Sequence, residues 1–186
     1  MRIKWFSLIR ITGLLLVLLY HFFQTIFPGG FFGVDVFFTF SGFLITALLI
    51  EEFSKNHEID LLGFFRRRFY RIVPPVVLMV LVTMPFTFLV RQDYVAGIGG
   101  QIAGVLGFMT NFYELLTGGS YESQFIPHLF VHNWSLAVEV HYYILWGLAV
   151  WFLSKQAKSN GQLKGMVFLL SAAAFLISFF SMFIGS

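Results

Sequence analysis

The chain has no cysteine, little charge and too little polar surface for a water-soluble domain. Zero cysteines among 186 residues remove disulfides, thiolate metal sites and cysteine nucleophiles, and leave the compartment undecided because a Cys-free chain fits either side of a membrane. Charged residues make up 11% and hydrophobic ones 58%, with a mean hydropathy of +0.82. An average soluble domain carries about 25% charged and 45–50% apolar residues, so this composition describes a membrane protein. Sequence repeats, low-complexity tracts and an appended soluble domain are also missing from residues 1–186. What is present in excess is phenylalanine, 26 residues, inside apolar runs long enough to cross a bilayer, which takes about 20 residues per helix.

Those runs predict an all-α, polytopic integral membrane helix bundle with about five spanning helices: Trp5 to Phe27, Phe31 to Ile50, Ile72 to Val90, Trp134 to Leu153 and Gly165 to Ile184. A sixth stretch, Val95 to Tyr113, carries five glycines and Gln101, a mixture poor in helix propensity and membrane affinity. It is expected as one Gly-rich interfacial or re-entrant helix that does not cross. The first run continues past the length of a signal-peptide core and has no small-residue cleavage site after it, so it is expected to stay attached. Net charge is +3, but the positives sit between apolar runs, where they orient a membrane protein rather than bind nucleic acid. Arg2 and Lys4 precede the first run, Lys55, Arg66, Arg67, Arg68 and Arg71 separate the second and third, and Lys155, Lys158 and Lys164 precede the last. Lys and Arg collect on the cytoplasmic side, which places the N-terminus inside and residues 91–133 outside.

An ionisable side chain within a span costs several kcal/mol unless it is paired or faces water, so each is a functional candidate. Arg10 and His21 lie in the first run, Asp35 opens the second, and Glu139 and His141 fall in the fourth. Arg10 and His21 are eleven residues apart, close to three turns, on one face and about 16 Å apart along the axis. Asp35 follows the Pro28-Gly29-Gly30 turn and reaches a depth similar to His21, so a carboxylate–imidazole pair that orients a base is expected. A neutral, hydrogen-bonded histidine in a bundle, and an Asp favoured by a helix N-terminus, are the plainer readings. The Arg66-Arg67-Arg68-Phe69-Tyr70-Arg71 cluster ahead of Ile72-Val73-Pro74-Pro75 fits either positive-inside anchoring or a phosphate grip by guanidiniums where a Pro-started helix enters the membrane. In His132-Asn133-Trp134-Ser135-Leu136-Ala137-Val138-Glu139, Trp134 marks the interface, while Ser135 and Glu139 share a helical face. Ser135 lacks a G-x-S-x-G elbow and reads as a helix-start residue. Glu139, one turn deeper, needs a partner; His141, Tyr142 and Tyr143 read as packing. No metal site is expected.

Taken in order, these stretches resemble acyltransferase family three, the polytopic O-acyltransferases of bacterial cell-envelope glycans. Arg10 and His21 resemble the family's opening Arg and His. Gly33-Val34-Asp35-Val36-Phe37-Phe38-Thr39-Phe40-Ser41-Gly42-Phe43-Leu44-Ile45 matches its G-V-D-x-F-F-x-x-S-G-F-L-I signature, Phe65 to Pro74 resembles its basic stretch, and Trp134, Ser135, Leu136, Glu139, Tyr142 and Tyr143 match W-S-L-x-x-E-x-x-[FY]-Y. The resemblance implies an acyl group, acetyl in the first instance, passed from cytoplasmic acyl-coenzyme A to a hydroxyl of an extracytoplasmic glycan, with no bound cofactor. By the same implication His21 is the base, Asp35 orients it, Arg10 faces the donor or the developing oxyanion, and Arg66, Arg67, Arg68 and Arg71 hold donor phosphates. Glu139, counted with His21, Asp35 and Arg10 among the catalytic residues, lines the acceptor side or pairs with a buried cation, and Ser41, Trp134 and Ser135 belong to the acceptor side or to the motifs. The family's membrane domain has about ten helices, against about five here. Residues 1–186 are therefore expected to be the N-terminal part of a truncated domain, with a second chain as one source of the remaining helices. The alternatives are a transporter or accessory membrane subunit, in which Arg10, His21, Asp35 and Glu139 form a solute or proton path, and an inactive remnant.

Overall fold

The computed structural model describes residues 4–23, 25–89, 95–117 and 128–184. Among the described residues seven α-helices follow one another: α1 (Lys4–Phe22), α2 (Phe32–Asn56), α3 (Leu61–Thr83), α4 (Ile98–Leu106), α5 (Thr110–Thr117), α6 (Trp134–Gln156) and α7 (Asn160–Ile184). Short 3-10 turns precede α2 (Pro28–Phe31), extend α3 (Met84–Leu89) and precede α6 (Val131–Asn133). No strand occurs among the described residues. This is an all-α membrane bundle, as the apolar runs require, because in hydrocarbon a helix satisfies every backbone group within its own segment.

Among the described residues four stretches are long and apolar enough to cross a membrane, Phe32–Asn56, Leu61–Thr87, Val131–Gln156 and Asn160–Ile184. The first expected span is shorter than its apolar run: the α-helix stops at Phe22 and its apolar part is Ile11–Phe22, because the chain bends through residues 25–27 into the Pro28–Phe31 turn. The third starts earlier than Ile72. α3 begins at Leu61 and runs through Pro74 and Pro75, so the arginine cluster lies on the helix itself and not on a loop before it. The two prolines remove the hydrogen bonds to the carbonyls of Tyr70 and Arg71 but do not end the helix, the price of a missing amide being met by the rest of a 23-residue ladder.

Two compact units emerge. The first comprises residues 1–38 and 62–144, and the second residues 39–61 and 145–186. In the first, α1 and the start of α2 meet through glycines. A Cβ on Gly33 would stand 2.7 Å from the Gly13 carbonyl oxygen and 2.8 Å from Val17 Cγ2, and one on Gly30 would strike the Leu16 carbonyl; small residues allow this backbone approach in lipid. Val76 and Val80 of α3, Val105 of α4 and Phe130 form its buried core, with Leu136 and Ile102 against it. α4 and α5, of 9 and 8 residues, reach only about 13 Å at 1.5 Å per residue, far short of a bilayer core of about 30 Å. The Gly-rich stretch therefore does not cross, and it forms two helices, not one. Gly97 caps α4 in the left-handed region, φ 63°, where a side chain would be strained. Gly100 gives way to the Tyr113 ring, which a Cβ would meet at 2.8 Å.

Ile45, Leu49, Phe53, Val150, Leu163 and Val167 are among the buried residues of the second unit. Trp146 Nε1 donates to Thr46 Oγ1 at 2.8 Å, and Asn160 Nδ2 to Ser54 Oγ at 2.7 Å. Beyond Val167, α7 presents an almost wholly exposed apolar surface.

Candidate functional site

His21 sits in the last turn of α1, and its Nδ1 lies 2.8 Å from the Val17 carbonyl oxygen, one turn back. A carbonyl only accepts, so Nδ1 carries a proton, and the nitrogen left to bear a lone pair when the ring is neutral is Nε2. The ring meets His132 edge-on, with centroids 4.9 Å apart and planes at 71°. His132 belongs to the 3-10 turn before α6. Sequence reading passed over it as part of the stretch around Trp134, because a lone histidine ahead of an interfacial tryptophan carries no spacing signal.

Asp35 is exposed in the first turn of α2, where its charge complements the positive helix end. Among the described residues no hydrogen bond or ion pair joins it to His21. The expected pair is thus not formed through these two, although both stand in the first unit. Arg10 lies on α1, three turns before His21, and its side chain is outside the described residues.

The arginine cluster divides by helical angle, since successive residues on α3 are turned by about 100°. Arg66, Arg67 and Arg71 are exposed, whereas Arg68 is half-buried. The Arg68 guanidinium lies 5.5 Å from the Phe64 ring centroid and 5.8 Å from that of Tyr143, the cation–π geometry. Its Nε is buried with no hydrogen-bond partner. Tyr143, buried on α6, donates its hydroxyl to Glu139 Oε1. Glu139 accordingly finds a partner one turn along its own helix, from a tyrosine that the sequence reading had assigned to packing. Arg66, Arg68 and Tyr143 supply the polar groups in the wall of a cavity of about 770 Å³, otherwise lined by apolar side chains such as Phe65, Ile72, Leu106 and Val140.

Trp134 packs its ring on Phe38, centroids 6.2 Å apart. Ser135 Oγ, in the first turn of α6, donates to the His132 carbonyl at 3.4 Å. Ser41 lies in the second unit. A carboxylate–imidazole pair does occur elsewhere: His128 Nδ1 is 2.8 Å from Glu114 Oε2, with side chains 17% and 8% exposed.

A model of the acyltransferase domain family matches residues 3–185. The chain belongs to this acyltransferase family. Within it, the O-acetyltransferase OatA of Staphylococcus aureus is 33% identical over 150 residues, 81% of this chain and 25% of the relative. The peptidoglycan O-acetyltransferase OatA of Listeria monocytogenes is 31% identical over 139 residues, 74% of this chain and 22% of the relative. The chain thus spans about a quarter of the length of these acyltransferases. No solved structure matches it.

Proposed function

We propose that this chain is the acyl-transferring membrane part of an O-acetyltransferase of the cell membrane, with its N-terminus cytoplasmic. It takes the acyl group from cytoplasmic acyl-coenzyme A and delivers it to a hydroxyl of an extracytoplasmic glycan such as peptidoglycan. The observation that carries this reading is the bond of His21 Nδ1 to the Val17 carbonyl, which leaves Nε2 as the nitrogen that bears the lone pair in the neutral ring and so the one suited to act as general base. In the transfer, Nε2 takes the proton of the acceptor hydroxyl as its oxygen attacks the thioester carbonyl carbon. The carbon–sulfur bond then breaks, and the imidazolium returns the proton to the leaving thiolate, giving an ester and a free thiol. Arg10 faces the donor or the oxyanion, and Asp35, exposed in the first turn of α2, offsets the positive charge formed on His21 without touching it.

The exposed guanidiniums of Arg66, Arg67 and Arg71 suit the donor phosphates, and the adjoining cavity of about 770 Å³ suits the arm that carries the thioester. Glu139, held by Tyr143, Ser41, Trp134 and Ser135 belong to the acceptor side. Membrane lipid surrounds the bundle, and a second chain supplies the further helices of the family's membrane domain. The names of the relatives, O-acetyltransferase and peptidoglycan O-acetyltransferase, support the choice of acetyl and of an envelope glycan.

The test is transfer of radiolabelled acetyl from acetyl-coenzyme A into envelope glycans by membranes containing this chain, with His21→Ala as the paired control. Label incorporated by wild type and lost in the inserted variant is the expected result. Solute flux with no dependence on acyl-coenzyme A would move the reading to a transporter, and neither label nor flux would move it to a remnant.

A further inference from the structure

The His132 ring reaches His21 from a short segment, residues 128–133, whose own backbone bonds are few: Val131 N–H to the His128 carbonyl at 3.1 Å and Asn133 N–H to the Phe130 carbonyl at 3.0 Å. Two such turns do not fix a segment against a helix in another part of the chain. Three further contacts do. His128 Nδ1 donates to Glu114 Oε2 of α5 at 2.8 Å, in a position where the Glu114 side chain is 8% exposed. The Tyr113 ring lies tilted on the His128 ring, centroids 5.5 Å apart. From α4, Gln101, 1% exposed, accepts the Phe130 N–H through Oε1 at 3.3 Å while its Nε2 donates to the Ala96 carbonyl at 2.8 Å. All of these residues belong to the first unit.

A buried carboxylate accepting from an imidazole is a strong and directional bond, and removing one member leaves the other buried and unsatisfied. The bond ties His128 to α5, and four residues later the same segment delivers His132. We propose that Glu114 and His128 are positioning residues for His21: their bond, backed by Gln101, pins residues 128–133 so that the His132 ring stands edge-on against His21 and holds that imidazole in one orientation. Neither Glu114 nor His128 touches the reacting atoms. Their effect passes through His132, and it extends the reading of His21 as the proton-transfer group, on which it rests. The two short helices α4 and α5 then have a definite use, as a platform carrying the anchors.

The test compares Glu114→Ala, which deletes the acceptor, with Glu114→Gln, whose side-chain oxygen still accepts from Nδ1, and with His128→Gln, whose amide still donates. Each is inserted in membranes, treated briefly with diethyl pyrocarbonate, and read by mass spectrometry at His21, His132 and, as an internal control, His57, which lies in the second unit. Glu114→Ala is expected to raise labelling of both His21 and His132 several-fold with His57 unchanged, while the two conservative variants stay at the wild-type level. In the acetyl-transfer assay the same variant loses about tenfold or more in kcat with the donor KM unchanged, the sign of misaligned rather than missing groups. Unchanged labelling of His21 and His132 in Glu114→Ala overturns the proposal, as does an equal rise at His57, which marks general loosening. Glu114→Leu, which keeps volume and removes only the acceptor, is read in the same way where the alanine variant fails to insert. Because labelling needs no turnover, a wild type that labels as expected but transfers nothing leaves the pin standing and removes the chemistry from His21.

Discussion

Two regions of the first unit meet at His21 and are held by opposite means. The hairpin of α1 and the start of α2 is held by shape: Gly13, Gly30 and Gly33 bring backbones together, and the ionisable groups beside its turn, His21 and Asp35, are exposed. The platform of α4, α5 and residues 128–133 is held by polar bonds in a buried setting, through Gln101, Glu114 and His128. The difference teaches where precision comes from in this bundle. Helices that run through lipid gain little from hydrophobic contact with each other, so they dock by close approach and leave their polar ends adjustable. Segments too short to cross a bilayer are fixed by directional bonds, and these transfer their rigidity to the adjustable end.

The largest effect is expected at the point where the regions meet. His21→Ala removes the base and should lower acetyl transfer by about 10²–10⁴-fold with insertion intact, as read by the radiolabel assay in membranes. Next comes the platform, where Glu114→Ala should cost about tenfold or more in kcat and Glu114→Gln little, by the geometric argument above. On the hairpin, Gly33→Val should destabilise by about 1–3 kcal/mol, since its Cβ alone stands 2.7 Å from the Gly13 carbonyl oxygen; thermal unfolding in detergent, followed by protease susceptibility, checks it. Gly29→Ala, in the turn just before α2 and with nothing near its Cβ, should leave stability unchanged. A hairpin held by shape predicts that contrast, and equal effects at Gly29 and Gly33 would remove it. Arg66→Gln, which takes one exposed guanidinium from the cavity wall, should raise the KM for acyl-coenzyme A with little change in kcat, the pattern of lost uniform binding. The smallest effect belongs to the second unit, where Thr46→Val removes the acceptor of the Trp146 Nε1 bond and should cost about 0.6 kcal/mol, the mean for such bonds between membrane helices.

How much of this was legible beforehand follows the same division. The crossing helices were readable because a bilayer demands long apolar runs, and α2, α6 and α7 lie where those runs do. The failure of Val95 to Tyr113 to cross was readable from its glycines and Gln101, but its division at Gly107 into two helices was not, since it depends on Gly107 N–H and Met109 N–H closing onto α4 carbonyls. The start of α3 was misjudged because Pro74-Pro75 reads locally as a helix start, while a helix already formed from Leu61 continues through the pair. Arg68 could not be told from Arg66, Arg67 and Arg71 by type. Only the neighbourhood of Phe64 and Tyr143 turns it inward. The imidazole–carboxylate pair was sought at His21 and Asp35 because both lie at similar depth, but depth says nothing of the direction in which a side chain points.

The sequence by itself therefore determined that this is a helical membrane protein, where four of the five expected spans lie, and, through motifs kept in order along the chain, to which acyltransferase family it belongs. These are properties of composition and spacing, which a one-dimensional solvent boundary and a fixed helical period translate directly. The tertiary structure alone decided that His21 faces His132 and that the buried pair is Glu114 with His128. Each joins groups through side-chain direction and burial, and those are fixed only when helices from separate parts of the chain settle against one another.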